Sequence, residues 1–326
     1  MASDAETTAP DLSVIIVSYQ TCALTLRAIE AALAQNGPSL EVIVVDNAST
    51  DGSAMAIGRR FPQVRLIAQE TNLGFARANN LAAKMARGRF LLLLNPDTVA
   101  LPGCFAAIKS FAEAWPQAMI WGGRVVDAAG KTNPRSCGRR PTLWSVISGA
   151  IGLAALWPQS RLFNAEAMPG WDRDDMRHVD IVIGCFLLIC RKSWGRLGGF
   201  DPAYFMYGED VDLCLRAARL GGTPAITPQA MILHEEGASQ QRSARETQLL
   251  AARIRYVRAH LPGFQQAPAV WAIRLGVILR LLCYSCATPF PKHRPKLRRV
   301  QDVWSARDLW WNGYPDWPLQ GASGHS

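Results

Sequence analysis

The feature that most constrains this chain is a series of short, strongly apolar runs, each ending in a polar turn and followed by a stretch with helical spacing. Leu12–Tyr19 (LSVIIVSY) is β-branched through its middle and predicts a fully buried strand, and apolar residues at helical intervals follow over Thr21–Gln35. Glu41–Asp46 (EVIVVD) predicts a second buried strand. Asn47–Gly52 (NASTDG) is a cluster of turn formers and helix caps, and Ser53–Arg60 predicts a helix. The alternation continues with a strand at Val64–Ala68, a helix over Gly74–Ala86 and a strand at Phe90–Leu94 (FLLLL). Strands alternating with helices at this spacing imply parallel βαβ units with helices on both faces of a sheet. Ligands of such sheets bind beyond the carboxyl ends of the strands, which singles out Asp46 and the Asn95-Pro96-Asp97 turn.

With 49% hydrophobic and 19% charged residues in 326, the chain can bury a sizeable core, which excludes a disordered or fibrous protein. Its net charge of +9 points to nucleic acid, an anionic membrane or a phosphorylated ligand. The excess sits in the tail, where residues 265–326 carry eight Lys/Arg against three Asp/Glu. The eight cysteines show no repeated metal-ligand spacing; Cys283 and Cys286 lie in an apolar helical stretch without a nearby His and read as thiols on a helix face. The N-terminus, MASDAETTAPD, is acidic and polar where an export signal is basic and then apolar, so a reduced, cytoplasmic protein is expected.

Downstream the pattern loosens. Residues 141–160 hold no charge, a length that could span a bilayer, although Ser145, Ser148, Gly149, Gly152 and Pro158 count against a span. A helix on the membrane surface or over the active site, and ordinary core, remain as alternatives. Asp180–Arg191 and Ala230–Leu233 are strand-like, and Asp210–Leu220 is helical. In the tail, Ala267–Phe290 is apolar except for Arg274 and Arg280, and PKHRPKLRR (291–299) places five Lys/Arg in nine residues. Trp304, Trp310, Trp311, Tyr314 and Trp317 follow, rings of a kind that favours the headgroup level. This order predicts peripheral attachment to an anionic membrane, the alternative being a helix packed on the core beside a solvated basic loop. No nucleic-acid motif accompanies the charge, so no nucleic-acid partner is expected.

Four elements carry chemistry. Asp46, at a strand terminus, can accept the imide N–H of uracil or thymine, and the helix start after NASTDG attracts anions. In NLGFARANN (72–80), Gly74 permits close backbone approach, while Arg77 and Asn79 could reach a phosphate or a ribose. Asp97, on a rigid Pro turn after FLLLL, suits a hard divalent cation shared with diphosphate oxygens. Glu209 and Asp210 follow an aromatic-rich turn able to stack on a sugar, so Asp210 could take the proton of an attacking hydroxyl, although plain N-terminal capping explains the same carboxylates. His234 closes the AMIL run, where a neutral imidazole can complete a metal site.

In order, SVIIVSY, VIVVDNASTDGS, NLGFARANN, LLLLNPDT, GGFDPAYFMYGEDVDLCLR and ILHEEGAS resemble the inverting nucleotide-sugar glycosyltransferases of family 2, in particular their bacterial rhamnosyltransferase-like branch. The resemblance runs from about Leu12 to His234. It implies an α/β GT-A fold, a Rossmann-like nucleotide-binding mixed sheet flanked by helices, over 12–262, after a disordered 1–11 and before a helical, membrane-associating extension over 263–326. It also implies a donor site of Ser18, Tyr19, Asp46, Ser49, Gly74, Arg77, Asn79 and Asn95, with Asp46 reading the base. Asp97 would be the surviving carboxylate of the family's Asp-x-Asp metal motif, with His234 as the other ligand of Mg²⁺ or Mn²⁺. Asp210 would be the general base, beside Glu209. Asn95 departs from the Asp of stricter members and leaves one charge fewer for the metal.

The activity so implied is transfer of a sugar, L-rhamnose from a dTDP donor, to a lipid-linked or oligosaccharide acceptor at the inner face of the cell membrane. A UDP-sugar-dependent hexosyl- or galactofuranosyltransferase is the alternative within the class. A sugar-phosphate nucleotidyltransferase is disfavoured because Ser18-Tyr19-Gln20 lacks a Gly-rich, Arg-containing loop for a triphosphate. A non-catalytic sugar-nucleotide-binding protein would not need Asp97, Asp210 and His234.

Overall fold

A computed structural model of the chain describes residues 9–234, 242–287 and 291–314. Most of the expected disordered N-terminus, Glu235–Ser239 of the ILHEEGAS block and Trp317 lie outside the described residues. At the inner end of that N-terminus, the Asp11 carboxylate accepts from the Ser39 backbone N–H at 3.0 Å and its hydroxyl at 3.1 Å, which ties the chain down before the first strand.

The strands are β1 (Leu12–Ser18), β2 (Leu40–Asp46), β3 (Arg65–Ala68), β4 (Phe90–Leu94), β5 (Thr98–Ala100), β6 (Ile120–Val126), β7 (Cys137–Gly138), β8 (Arg177–His178), β9 (Ile181–Val182), β10 (Phe186–Cys190) and β11 (Ala225–His234). Helices α1 (Cys22–Leu33), α2 (Ser53–Arg60), α3 (Phe75–Met85), α4 (Cys104–Ala114), α5 (Leu143–Ala150), α6 (Leu153–Leu156), α7 (Arg191–Leu197), α8 (Glu209–Arg219), α9 (Arg242–His260), α10 (Gly263–Cys286) and α11 (Arg294–Ser305) complete the described elements.

Among the described residues nine strands form one sheet, in the order β3-β2-β1-β4-β10-β6-β11-β5 with β8 on β11, while β7 and β9 pair apart. The expected parallel unit is β3-β2-β1-β4. β10 then runs antiparallel to both β4 and β6, so the sheet is mixed. All seven residues of β1 are buried, because successive side chains alternate between two covered faces. Val14 and Ile16 pack with α1, α2 and α4, whereas Ile15 and Val17 pack with α3, α7 and α8. β6 escaped the sequence pattern because two of its seven residues are glycine, which offers no periodicity. The strand-like 180–191 is also two strands: the Phe186 N–H donates to the Ile183 carbonyl at 3.3 Å in the turn between β9 and β10.

Residues 141–160 do not form a span. A Thr142–Ser145 capping box opens α5, and Gly152, at φ +85°, separates α5 from α6. The Tyr256 hydroxyl donates to the Pro141 carbonyl at 2.7 Å, and a Cβ on Gly276 would lie 2.4 Å from the Ala150 carbonyl oxygen, so α5 rests directly on α9 and α10.

The tail is more firmly packed than its composition predicts. Ala251, Ile254 and Val257 of α9, Val270, Ile273 and Val277 of α10, and Val300 and Val303 of α11 share one apolar cluster with Val146 of α5 and Trp310. Trp310 is fully buried and its indole N–H donates to the Val303 carbonyl at 2.9 Å, and Tyr314 donates to the Met206 carbonyl. These two rings serve packing, which corrects their expected place at the headgroup level. A different surface is exposed. Phe264, Trp271, Leu275, Leu279 and Leu282 of α10 face solvent at steps of seven, four, four and three residues, one helical stripe opposite the buried one. The 24-residue α10 is long and apolar enough to cross a bilayer, but its inner stripe belongs to the core.

Candidate active site

The pairing directions bring the suspect residues to one edge. β1, β2 and β4 are parallel; β10 reverses; β6, antiparallel to β10, and β11, parallel to β6, therefore run with β4. Asp46, the Asn95–Asp97 turn and His234 thus all lie at the carboxyl edge, where β10 begins.

The register fixes the first loop. Asp46 pairs with Ser18, and the Asn47 N–H donates to the Ser18 carbonyl at 2.8 Å. Asp46 is buried; its Oδ2 accepts from the Ser49 N–H at 3.2 Å, and its Oδ1 has no hydrogen-bond partner among the described residues. Ser49 in turn accepts from the Gln20 N–H at 3.0 Å, leaving Tyr19 at the exposed rim. Gln20 and Ala48 hold positive φ, 55° and 65°, a conformation costly for side-chain-bearing residues and held here by these cross-loop bonds. The Ser18 hydroxyl is buried with Thr25 at 2.8 Å and Thr21 at 3.3 Å, which ties the end of β1 to the start of α1 and shapes the loop.

The NLGF loop is likewise a structural joint. Asn47, unassigned in the sequence, donates to Asn72 Oδ1 at 2.8 Å and accepts from the Leu73 N–H at 2.8 Å. Gly74 is required by Phe205: a Cβ there would stand 2.4 Å from the Phe205 carbonyl oxygen, which accepts from the Phe75 N–H at 2.7 Å. Asn79 is buried and donates to the Phe75 carbonyl at 2.9 Å, and Arg77 donates through Nε to the Pro202 carbonyl at 3.0 Å. Gly74 and Arg77 therefore hold the 200–208 loop against α3, while the Asn79 amide bonds back within α3 itself.

The NPD turn and β11 supply the polar centre. The Asn95 N–H donates to the Cys185 carbonyl at 3.0 Å, docking the turn on the start of β10. His234 lies opposite Thr98 in the register, and its Nε2 stands 3.2 Å from Asp97 Oδ1. That oxygen is buried and has no aligned hydrogen bond among the described residues; neither has Asn95 Oδ1. Buried polar atoms are rarely left so, and three at one edge, with Asp46 Oδ1, point to a ligand. A carboxylate oxygen and an imidazole nitrogen this close, without hydrogen-bond alignment, fit a shared divalent cation. Among the described residues no group of three or more His, Cys, Asp or Glu gathers to hold a metal, so Asp97 and His234 would leave the remaining positions to ligand oxygens and water.

Asp210 stands on the same edge. It accepts from the Gly184 N–H at 2.8 Å and its neighbour Val211's at 2.8 Å, and burial nevertheless pushes its carboxyl above the ordinary range. Each carboxylate oxygen keeps a further lone pair for a proton. Glu209 is buried with Oε2 unpartnered among the described residues; burial first, then the neighbouring Asp210 and Asp212 carboxylates, push it well above the ordinary range. The shift favours the protonated form of Glu209 beside its carboxylate neighbours. Tyr207, at φ 70°, lies close enough to Asp97 and Glu209 for both to raise its phenol, after burial, which connects the metal-fit pair to the acid pair.

Comparison with known proteins decides the family. The model of glycosyl transferase family 2 matches residues 13–179, half of the chain. The chain belongs to that family. It is 29% identical to the N-acetylglucosaminyl-diphospho-decaprenol L-rhamnosyltransferase of Mycobacterium tuberculosis over 314 residues, 89% of this chain and 98% of the relative. Its fold is similar to that of the mannosyltransferase PcManGT from Pyrobaculum calidifontis, crystallised with GDP-Man and Mn²⁺, at TM-score 0.55 and 19% identity over 93% of this chain and 88% of the other. It is also similar to GalNAc-T7 with UDP, GalNAc and Mn²⁺, at TM-score 0.57 and 13% identity over 95% and 59%. The glycosyltransferase has the GT-A fold expected from its motifs, and the two solved neighbours hold a purine and a pyrimidine nucleotide respectively.

Proposed function

We propose that this family 2 enzyme transfers L-rhamnose from dTDP-rhamnose, with inversion, to a lipid-linked saccharide in bacterial cell-surface glycan synthesis. The observation that carries the proposal is the meeting of Asp97 Oδ1 and His234 Nε2 at 3.2 Å on the same edge as the unpartnered Asp46 Oδ1. Such an edge suits a pyrimidine diphosphate: Asp46 accepts the imide N–H of the base, and the diphosphate lies toward Asp97. The rhamnosyltransferase relative, matched along nearly its whole length, supports the sugar and a diphospho-lipid acceptor.

Asp97 and His234 would hold a Mg²⁺ or Mn²⁺ ion, whose charge stabilises the negative charge developing on the departing diphosphate. Asp210, fixed by two backbone N–H groups, accepts the acceptor hydroxyl's proton as that oxygen attacks the anomeric carbon. A single displacement inverts configuration. The upward push of burial on Asp210 makes it a stronger base than an exposed aspartate.

The exposed stripe of α10, with the basic residues 292–299 following it, suits peripheral attachment to the anionic inner face of the membrane. The functional test is nucleotide release by purified enzyme from dTDP-, UDP- and GDP-sugars with Mg²⁺ or Mn²⁺, then transfer to lipid-linked acceptors. Preference for GDP-sugars would overturn the role of Asp46.

A further inference from the structure

The donor site accounts for the carboxyl edge of the sheet but not for the space behind the 200–208 loop. There a cavity of about 1170 Å³ lies between that loop, α9 and the segment after α11. Phe205 and Tyr314 supply aromatic wall, and Gln248, Arg255, Asp308 and Asn312 supply amide, guanidinium and carboxylate groups. We infer that this cavity is the acceptor site and that it binds the acceptor's saccharide. The inference rests on the glycosyl-transfer reading above.

Its chemistry selects among ligands. Sugars present flat C–H faces that pack on aromatic rings and a rim of hydroxyls that both donate and accept, which mixed planar side chains satisfy. A diphosphate would meet the carboxylates of Asp302 and Asp308 as well as the guanidinium groups; the alanines and Leu309 that complete the wall offer apolar surface to sugar C–H faces, whereas a polyprenyl chain seated there would bury the charged groups without partners. Small-molecule sites occupy roughly 300–1,000 Å³, so the space admits more than one sugar residue.

Its position suits an acceptor. Phe205 lies four residues before Glu209, and its carbonyl is the one bonded to the NLGF loop. Tyr314 packs edge-on against Tyr204, with ring centroids 6.3 Å apart, and donates to Met206. Arg255 holds Asp201 at 2.8 Å and lies over the Tyr204 ring. A saccharide in the cavity therefore rests against the loop that leads into α8, whose first turn bears Asp210, and the wall built by 302–314 gives the C-terminal segment a place in substrate recognition.

The test separates acceptor from donor. Ala244, exposed on the first turn of α9, lines the cavity, and Leu249, exposed on the same helix, does not. Ala244→Trp fills the space from outside the core, and Leu249→Trp is its control. With an N-acetylglucosaminyl-diphospho-lipid acceptor, Ala244→Trp and Gln248→Ala should raise acceptor KM by about tenfold. Donor Kd and the rate of donor hydrolysis should stay within about twofold of wild type, as should every parameter of Leu249→Trp. Saturation-transfer NMR with a soluble oligosaccharide ending in N-acetylglucosamine should show contact with wild type that Ala244→Trp abolishes. Unchanged acceptor KM in Ala244→Trp with normal donor hydrolysis would overturn the assignment. So would a KM effect without any oligosaccharide contact, which would place lipid or diphosphate in the cavity. A wild-type enzyme that neither binds nor hydrolyses any nucleotide-sugar would instead remove the glycosyl-transfer reading itself.

Discussion

Gly74→Ala tests whether the NLGF and FMYGED loops work as one piece. Gly74 sits at φ +76°, ψ 172°, a region essentially restricted to glycine, where an L side chain costs about 1–3 kcal/mol. The added Cβ would also lie 2.4 Å from the Phe205 carbonyl oxygen and 2.7 Å from its ring. That oxygen cannot retreat without losing the Phe75 N–H, and overpacking of this kind adds about 1–3 kcal/mol. The combined loss is therefore about 2–6 kcal/mol. Gly103 is the control: it has nearly the same φ, +77°, yet nothing lies within 4 Å of its Cβ position, so Gly103→Ala should cost only about 1–2 kcal/mol. Urea unfolding gives both values. Steady-state transfer gives the second readout, since a displacement of Phe205 moves Asp210 and a shift of about 1 Å can cost about 10²-fold in kcat. Gly103→Ala should retain wild-type kcat. Equal stability and equal activity in the two variants would show that the Phe205 contact does not hold the loop.

Asp210→Asn should lower kcat by about 10²–10⁴-fold with donor Kd nearly unchanged, because a lost base acts on the transition state. The base works ionised and its folded carboxyl is raised, so activity should fall as pH drops through a value above the ordinary 3.8 of an aspartate; an acid limb at or below 3.8 would contradict this. Excess EDTA should abolish transfer, and Asp97→Ala and His234→Ala should each raise the Mn²⁺ concentration required for half-maximal rate; full activity in EDTA would refute a metal site. Flotation with anionic liposomes should carry the enzyme at low salt and release it at high salt, since each Lys or Arg near such a surface contributes about 1 kcal/mol that salt screens. Trp271→Asp with Leu275→Asp, on the exposed stripe of α10, should abolish flotation and leave hydrolysis of the donor intact; flotation unchanged by that pair would refute the membrane role of the stripe.

The sheet was legible because β1, β2 and β4 are buried on both faces and therefore read as continuous apolar runs closed by polar turns. The placing of Asp46, Asp97 and His234 on one edge was legible because Asp46 and His234 close strands and Asp97 stands in the turn after β4. What each remaining residue contacts was not. Ser18, Gly74, Arg77 and Asn79 stand within motifs that invite ligand contacts, yet their partners are Thr25, Phe205, Pro202 and Phe75. Only the fold shows that Arg77 meets a carbonyl 125 positions away. The same limit applies to Trp310 and Trp271. Composition assigns both to an interface, but helical phase and tertiary contact bury one and expose the other.

Asp212, a residue without a motif role, ties α9 to the helix that bears Glu209 and Asp210. Its carboxylate accepts from Arg216 Nε at 2.7 Å and pairs with His260 Nε2 at 2.8 Å, joining α8, which begins with Glu209 and Asp210, to the last turn of α9. Burial opposes the charge, but the His260 bond and the Arg216 charge prevail and hold Asp212 below the ordinary carboxylate range. Stability from a depressed carboxylate is present above its unfolded pKa and is lost as pH falls through the folded value, so the α8–α9 joint weakens in acid. Arg216 also reaches the Gly199 carbonyl at 2.8 Å, so the joint extends to the start of the loop that bears Phe205. Removing everything after Pro262 would strip α10, α11 and Trp310 from the cluster that contains Ile254 and Val257 and would leave α9 without its outer layer. Loss of activity in so shortened a chain would follow from a broken core whether or not the enzyme binds membranes. The membrane question is therefore answerable only on the intact fold, by changing residues such as Trp271 and Leu275 that face solvent outside the shared apolar cluster.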